Sequence, residues 1–486
     1  MKLIVLPLIL SMSACSLTPK LDRPAPPIPA TFPNAQEVDT RANAADLGWR
    51  TMFGDPRLQR LIELALKNNS DLRLAILNVE AARAQYGIQR AAQLPSVDAN
   101  ATASRQRTAA NDQSGPTQPS GIQQQVGVNL GLSAFEVDLF GRVRSLSEAA
   151  FARYLASEQG QRAARITLVA SVADAYLAEQ LAQEQLLLAE STLADWRQSL
   201  DLARRLREAN QNSGLDVAQA EGQVASAEAD LEARTRSLSQ AKNALQLLIG
   251  SALPPDLPAP VRLDRQPIIT ELPAGLPSEL LTRRPDILQA EQNLVAANAN
   301  VGAARAAFFP RLSLTGSWGF ASPAMSDLFD GGQRVWAFAP QISLPLFQGG
   351  RLRSELRLAQ VRTSSAVVEY ERAIQTAFRE VADGLAGRAT FARQIDAQVR
   401  AVTSAERRVS LSNLRYRAGV DGRLELLDAQ RRLYMEQQTL LDLRRNEFSN
   451  VVALYRALGG GLASSDKSDR TINLTRTEPQ DAPIPN

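Results

Sequence analysis

The sequence contains two copies of one segment, and this internal duplication is the feature that most constrains the fold. Residues 71–95 align without a gap with residues 286–310, and eleven of the 25 aligned positions hold the same residue. The identical pairs are Asp71/Asp286, Ala75/Ala290, Asn78/Asn293, Ala81/Ala296, Ala82/Ala297, Ala84/Ala299, Gly87/Gly302, Arg90/Arg305, Ala91/Ala306, Ala92/Ala307 and Pro95/Pro310. Such a chain is expected to fold as two similar supersecondary units.

The duplication and the distribution of proline divide the 486-residue chain. We expect a first copy over residues 56–250 and a second over residues 286–460, separated by a proline-rich linker at residues 251–285. Each copy has the expected order helix, two strands, very long helix, turn and return helix. Residues 15–55 form an extension before the first copy, and the polar residues 461–486 are expected to be a disordered tail.

Each copy contains a segment of 68 residues without proline, residues 142–209 and residues 351–418. At 1.5 Å per residue such a helix would be roughly 100 Å long, which exceeds the helices of ordinary globular domains. In the second segment, positions that step by four and three residues are often small: Leu352, Leu356, Ala359, Thr363, Ala366, Tyr370, Ala373 and Ala377. This heptad spacing predicts a coiled coil with closely packed helices. A solvated rod without a lumen would satisfy the same spacing.

Four segments alternate apolar with small or polar residues, which is typical of β-strands with one apolar face. We expect them near residues 97–108 and 122–139 in the first copy and near residues 311–321 and 334–346 in the second. Strands of nine or more residues, at about 3.3 Å each, span a hydrocarbon core of roughly 30 Å. The alternation is weaker in the first copy, for which a soluble hairpin is the alternative. Its phase slips at residues 133–135, which predicts a β-bulge or the end of the membrane strand.

Four strands are too few to close a barrel, and lipid does not tolerate an open sheet edge. If these strands span a membrane, several copies of the chain must therefore contribute strands to one barrel. The sequence alone does not choose the number of copies.

The first fifteen residues have the pattern of a bacterial lipoprotein signal. A basic start and the short apolar run of residues 3–10 precede Cys15, the only cysteine of the chain. Because that run is too short to span a bilayer, residues 1–14 are expected to be a cleaved signal peptide. Cys15 would then carry a diacylglycerol and an N-acyl chain. The residue that follows Cys15 is Ser16, and in this the signal resembles those of lipoproteins that are sent to the outer membrane of Gram-negative bacteria. An ordinary secretory signal is the alternative.

The composition excludes several functions. The chain has no histidine and one cysteine, so histidine-based catalysis, histidine-ligated metal sites and intrachain disulfides are excluded. Its 54 basic and 51 acidic residues nearly balance, and the basic residues are dispersed, which does not indicate nucleic-acid binding. No nucleotide-binding or serine-hydrolase motif occurs. We therefore expect no enzyme activity, no metal and no cofactor other than the lipid.

Motifs along almost the whole chain resemble the TolC-like outer-membrane factors, most of all the OprM-like (NodT) lipoprotein branch. They lie at Trp49–Asp55, Asn69–Leu72, Phe135–Arg142, Arg283–Ile287, Ala304–Pro310, Leu344–Phe347, Gly349–Arg351, Arg415–Val420 and Leu427–Gln430. The resemblance implies an α+β membrane protein in which a long α-helical coiled-coil tunnel adjoins a transmembrane β-barrel. Each protomer would supply four strands, and a homotrimer would close a 12-strand barrel.

The resemblance also implies a function: the exit duct of a tripartite efflux pump in the outer membrane, which passively conducts drugs and other small molecules. Its partners would be a periplasmic adaptor protein and an inner-membrane transporter of the resistance-nodulation-division type. A polypeptide-secretion duct of the same fold and a non-conducting structural envelope lipoprotein are the alternatives.

Candidate site residues lie at the far ends of the long helices. By resemblance, Leu424 and Asp428 narrow the periplasmic entrance, Glu425 and Asp428 form acidic rings, and Asp216 is the counterpart of Glu425 in the first copy. Without the resemblance, these acids would merely complement a helix dipole. The tips expected to contact the adaptor are Asn210, Gly214, Arg415, Tyr416, Gly419 and Val420. Asn210 and Gly419 both tolerate the left-handed conformation that ends a helix.

Overall fold

The computed structural model describes residues 17–22, 24–25, 27–29, 31–32, 47–108, 121–272 and 277–460. The predicted signal peptide, Cys15 and the predicted tail at residues 461–486 lie outside the described residues. The chain divides into two compact units, and each unit takes segments from both copies. Unit 1 comprises Met1–Ala25, Asn78–Glu158 and Gln289–Tyr370, and unit 2 comprises Pro26–Leu77, Gln159–Leu288 and Glu371–Asn486.

The helices and strands follow the same order in both copies. The first copy and the segment before it contain α1 (Trp49–Met52), α2 (Pro56–Asn68), α3 (Ser70–Ala91), β1 (Val97–Thr108), β2 (Gly121–Val137), α4 (Arg142–Glu208) and α5 (Gly214–Ile249). The linker and the second copy contain α6 (Leu280–Arg283), α7 (Pro285–Ala306), β3 (Arg311–Ser322), β4 (Arg334–Ser343), α8 (Arg351–Arg417) and α9 (Arg423–Ala457). Short 3₁₀ turns occur at Leu263–Arg265, Pro277–Glu279 and Met325–Asp327.

The long helices α4 and α8 each contain 67 residues, which corresponds to roughly 100 Å. In α8 the predicted heptad seam is confirmed, because five of its positions are buried: Leu352, Ala359, Ala366, Tyr370 and Ala377. Farther along, α8 approaches α9 so closely that a Cβ atom added at Gly384 would lie 2.9 Å from Leu454. Among the described residues, no helix is long and apolar enough to cross a membrane.

The return helices stack end to end on the helices that precede the strands. Asn69, directly before α3, donates from Nδ2 to the carbonyl of Leu248 in α5 at 2.8 Å. In the second copy, Arg284 directly before α7 donates from Nη1 to the carbonyl of Ala457 in α9 at 2.9 Å. Both bonds satisfy a carbonyl in the last turn of a helix, where no intrahelical partner exists. Two different residue types thus make the same junction in the two copies.

Arg284 is the buried centre of a network of charged side chains. Its guanidinium lies 2.5 Å from Asp286 and 2.8 Å from Glu380, and Glu380 also accepts from Arg456 at 3.3 Å. Burial by itself would lower the pKa of Arg284, but the hydrogen bonds and charges of the two carboxylates raise it. The arginine therefore stays charged and joins α7, α8 and α9.

The four strands form one antiparallel sheet in the order β1-β2-β3-β4. Paired residues share a face, and one row across all four strands reads Ala99, Leu130, Trp318 and Trp336. The neighbouring row on the opposite face reads Asn100, Asn129, Gly319 and Val335. The strands of the first copy, in which the alternation is weaker, therefore lie in one continuous sheet with those of the second copy, in which the apolar face is strong.

The phase slip predicted in the first copy is a β-bulge. The register of β2 against β3 shifts between Leu132 and Phe135, so two residues of β2 lie opposite Thr315 alone. Ala134 has a positive φ of 48°, and its N–H donates to Thr315 Oγ1 at 3.3 Å. After the bulge, apolar residues of β2 return to the apolar face.

We expect Arg284→Ala to lower the free energy of unfolding by about 2 kcal/mol, because it removes the buried guanidinium that bonds the carbonyl of Ala457 and two partly exposed carboxylates, Asp286 and Glu380. Urea unfolding of the detergent-solubilised protein, followed by circular dichroism at fixed protein concentration, measures this change. Arg379→Ala is the control: its side chain is 72% exposed and lies 4.0 Å from Asp383, so a change of about 0.5 kcal/mol or less is expected. Equal effects of the two substitutions would contradict the role of Arg284.

Candidate functional site

The two turns between the long helices and the return helices have the same backbone geometry. Asn210 has φ +56° and Gly419 has φ +72°, so both occupy the left-handed region as predicted. The next residue in each turn donates its N–H to the carbonyl five residues earlier, at 2.8 Å from Gln211 and at 3.0 Å from Val420. This is the Schellman pattern, which satisfies the last carbonyls of a helix. The first turn therefore keeps the geometry of the second although its sequence differs.

The return helix α5 begins with a capping box. Ser213 Oγ accepts from the N–H of Asp216 at 3.1 Å, and the Asp216 carboxylate accepts from the N–H of Ser213 at 3.1 Å. Gly214, the first residue of α5, is exposed. Asp216 thus has a local structural role that its position in the alignment did not indicate.

The return helix α9 begins differently, because Gly422 precedes it and no side chain among the described residues caps it. Its acids instead face a cation on α8. Arg408 Nη2 lies 2.7 Å from Asp428 and 3.6 Å from Glu425, and all three side chains are about half or more exposed. The two carboxylates therefore share one guanidinium and retain a net negative charge.

Apolar side chains at the tips are exposed. Leu424 is 64% exposed, its counterpart Leu215 in the first copy is 67% exposed, and Val420 is 62% exposed. Burying such side chains would be favourable at about 25 cal/mol per Å². These three positions are therefore available for contact with another copy or another protein.

An ion pair closes the second turn. Arg415 Nη2 donates to Asp421 Oδ1 at 2.7 Å, and its Nε donates to the other carboxylate oxygen. This bidentate hydrogen bonding lowers the pKa of Asp421 and raises the pKa of Arg415. The pairing assigns Arg415 a structural role in the turn, beside its predicted contact with the adaptor.

Arg423, the first residue of α9, is buried with 2% exposure. Its Nη2 donates to Ser199 Oγ at 2.9 Å, and its guanidinium lies 5.9 Å from the ring centroid of Tyr416. Its Nε and Nη1 have no hydrogen-bond partner in the described part of the chain. Arg423 is not among the residues predicted from the sequence. Its position could have indicated a special role, because the helix dipole disfavours a cation such as Arg423 in the first turn of a helix.

A cavity of about 580 Å³ lies between the two turns. It is lined by Leu202, Leu206, Gln211, Asn212, Asp216, Tyr416, Arg417, Gly419, Asp421, Gly422 and Arg423. Of the predicted site residues, the structure thus brings Asp216, Tyr416 and Gly419 together. Leu424, Glu425 and Asp428 do not line this cavity; their positions remain those of a predicted gate.

The fold and the tips define a class of protein. A sheet with one continuous apolar face is joined to helices of 67 residues that pack as a coiled coil, which is the architecture of an outer-membrane channel with a helical tunnel. The family model described as outer membrane efflux protein matches residues 61–251 and 276–460, one match in each copy. The chain belongs to this family. It is an outer-membrane channel and the exit duct of an efflux pump.

Known relatives are similar along nearly the whole chain. The toluene efflux pump outer membrane protein TtgC of Pseudomonas putida is 47% identical over 456 residues, which cover 93% of this chain and 93% of that protein. Outer membrane protein OprJ of Pseudomonas aeruginosa is 45% identical over 457 residues, covering 93% and 94%. The open state of the MtrE outer membrane channel of Neisseria gonorrhoeae has a TM-score of 0.84 and 43% identity, covering 92% of this chain and 99% of that chain.

We expect Asp421→Asn to loosen the second turn, because it removes the charge that binds Arg415. The hydrogen bonds and charge of Arg415 hold the pKa of Asp421 below its ordinary value, so the pair stabilises the turn above that ordinary value, and the stabilisation is lost as the pH falls through the lower pKa of the folded state. Amide hydrogen exchange of the turn peptide should therefore be faster in the variant at neutral pH. Asp201→Asn, which removes an exposed pair with Arg205, is the control. Unchanged exchange of the turn in Asp421→Asn would refute the role of the pair.

Proposed function

We propose that three copies of this chain form the duct and that it is gated at the tips of its long helices. The observation that carries the proposal is the four-stranded sheet with two open edges. Among the described residues, β1 and β4 each pair on one side only. Lipid requires both edges of the sheet to be paired. If β4 of each protomer lies next to β1 of the following protomer, every edge in a closed ring of protomers is paired. Three copies with four strands each give a 12-strand barrel.

The gate consists of Leu424, Glu425 and Asp428. Threefold symmetry brings the three copies of each side chain around one axis, where exposed leucines narrow the passage and carboxylates attract cations. Arg408 pairs with both acids in one chain and so reduces the repulsion between like charges. The position of this constriction rests on the exposure of Leu424 and on the net charge of the acids.

The duct receives its cargo from a periplasmic adaptor and an inner-membrane transporter of the resistance-nodulation-division type. The two turns offer the adaptor a matched pair of docking points, because Asn210 and Gly419 have the same backbone geometry. Exposed Leu215 and Val420 supply apolar contact area beside them. In the second copy, Arg415 and Tyr416 support the shape of the docking turn.

The chain acts without catalysis and carries its lipid on Cys15. Conduction needs a passage and a gate rather than a reacting group, and the absence of histidine from the sequence agrees with this. The acyl chains add to the hold of the barrel on the outer membrane, since one acyl chain alone binds a membrane only weakly. The efflux assignment of the family favours conduction of small molecules over polypeptide secretion or a non-conducting envelope rod.

We expect Leu424→Ala combined with Asp428→Ala to raise the single-channel conductance, because it removes apolar bulk and three charges from the constriction. Recordings in planar lipid bilayers measure the change. The combination of Leu247→Ala and Asp256→Ala, at exposed positions far along the chain from the tips, is the control and should leave the conductance unchanged. A double variant at the tip with wild-type conductance would place the constriction elsewhere.

We expect Cys15→Ala to abolish lipidation. Mass spectrometry of the mature N-terminal peptide should find the wild-type chain beginning at an acylated Cys15 and should find no acyl mass in the variant. An unmodified Cys15 in the wild-type protein would disprove the anchor.

A further inference from the structure

Unit 1 contains a cavity of about 470 Å³, and none of the proposed gate residues lines it. One wall is α7 with the residue that follows it, and this wall contributes apolar residues: Ala296, Ala297, Ala303 and Ala304 in α7, and Ala307 directly after it. Asn293 and Asn300 lie among them, α4 contributes Arg142, Leu146 and Arg153, and α8 contributes Glu355, Leu358, Ala359 and Arg362. Arg311, the first residue of β3, completes the lining. The volume falls within the range of sites for drug-sized ligands, roughly 300–1,000 Å³.

The charges around this cavity do not balance. Arg142 is paired with Glu136 at 2.6 Å, and Glu355 is paired with Arg351 at 2.7 Å, so these two lining residues are neutralised. Arg153, Arg311 and Arg362 make no ion pair within the described part of the chain. The cavity therefore combines an apolar wall with three uncompensated guanidinium groups.

The opposite face of α7 is covered by the chain's own N-terminal segment, residues 17–19. Asn298 Nδ2 donates to the carbonyl of Pro19 at 2.8 Å, and Arg305 donates to the carbonyl of Leu17 at 3.5 Å. The segment lies so close at Gly302 that an added Cβ atom would come within 2.2 Å of Thr18 Oγ1. Only glycine leaves room for this contact.

Helix geometry places the cavity and the N-terminal segment on opposite sides of α7. With 3.6 residues per turn, Asn298, Gly302 and Arg305 fall within about 60° of one another, and the cavity-lining residues of α7 are centred roughly 180° away. Residue 17 is two residues from Cys15. In the proposed duct the lipidated segment must lie on the lipid side of the wall, so the cavity faces the lumen.

We propose that this cavity is a luminal subsite for amphiphilic organic anions, in which the arginines bind a carboxylate and the alanine wall contacts the apolar body. Arginine presents paired N–H donors that match the two oxygens of a carboxylate. The inference rests on the proposed trimeric duct, which would bring three such sites, with nine uncompensated arginines, around one passage. Anionic cargo is held at these sites on its way out, and cations are disfavoured there.

The experiment uses octanoate as the probe, added to single channels of the full-length protein in planar bilayers. Octanoate should reduce the current of the wild-type channel at lower concentrations than octanol or octylammonium does. Arg153→Gln combined with Arg362→Gln should raise the concentration of octanoate for half block about tenfold, because two of three cations are lost per site. The reversal potential of the same variant under a KCl gradient should shift toward that of potassium, because positive charge is removed from the passage.

The matched control is Arg353→Gln combined with Arg357→Gln, which removes the same charge from the opposite face of α8, where both residues are exposed. It should leave block by octanoate unchanged. Equal block of the wild type and the Arg153/Arg362 variant, or equal weakening by the control, would overturn the inference. A wild-type protein that forms no conducting pore would instead overturn the proposed duct, so the two failures are distinguishable.

Discussion

The rest of the structure depends on one constraint: every backbone N–H and C=O group at membrane depth must be paired. One chain supplies two hairpins, which join into a single four-stranded sheet with one apolar face, and among the described residues β1 and β4 each have one unpaired edge. Each unpaired group in lipid costs several kcal/mol, so such a sheet is not stable there as a monomer. The duplication therefore gives each chain two hairpins, and the hairpins of several chains together would close the sheet into a barrel. Each long helix follows the second strand of a hairpin along the chain.

The two copies share backbone geometry more closely than side-chain chemistry. Asn69 and Arg284 make the same end-to-end helix junction, one with an amide and the other with a buried, charge-paired guanidinium. At the tips, a capping box occupies Asp216, whereas the acids of the second copy are not used in capping and share Arg408. The acidic residue of the first copy thus stabilises the start of a helix, whereas the acidic residues of the second copy are available for function. The orphan nitrogens of Arg423 also belong to the second copy.

Much of the fold could be predicted because periodicity and proline are local signals. The two long helices end within one residue of their proline-free segments, and the bulge lies where the alternation slips. Strands β2 and β4 end two and three residues earlier than expected, because alternation continues beyond the last paired residue. The partners of the site residues could not be predicted in this way. Arg408 is 20 residues from Asp428 and Arg423 is 224 residues from Ser199, and nothing in the local sequence indicates which residues meet across a coiled coil.

The sequence by itself determined the duplication, the apolar face of the strands, the length of the helices, the left-handed residues of both turns and the exclusion of histidine chemistry. These follow from residue type and spacing, which act within a few turns of one element. Only the tertiary structure decided which charged residues that are far apart in sequence come together. Arg153 in α4, Arg362 in α8 and Arg311 at the start of β3 line one cavity, and within the described part of the chain none of them has an ion-pair partner. Whereas Arg142 and Glu355 pair with residues six and four positions away along the chain, the meeting of these three arginines depends on which helices pack side by side, and that is not encoded in the spacing along any one of them.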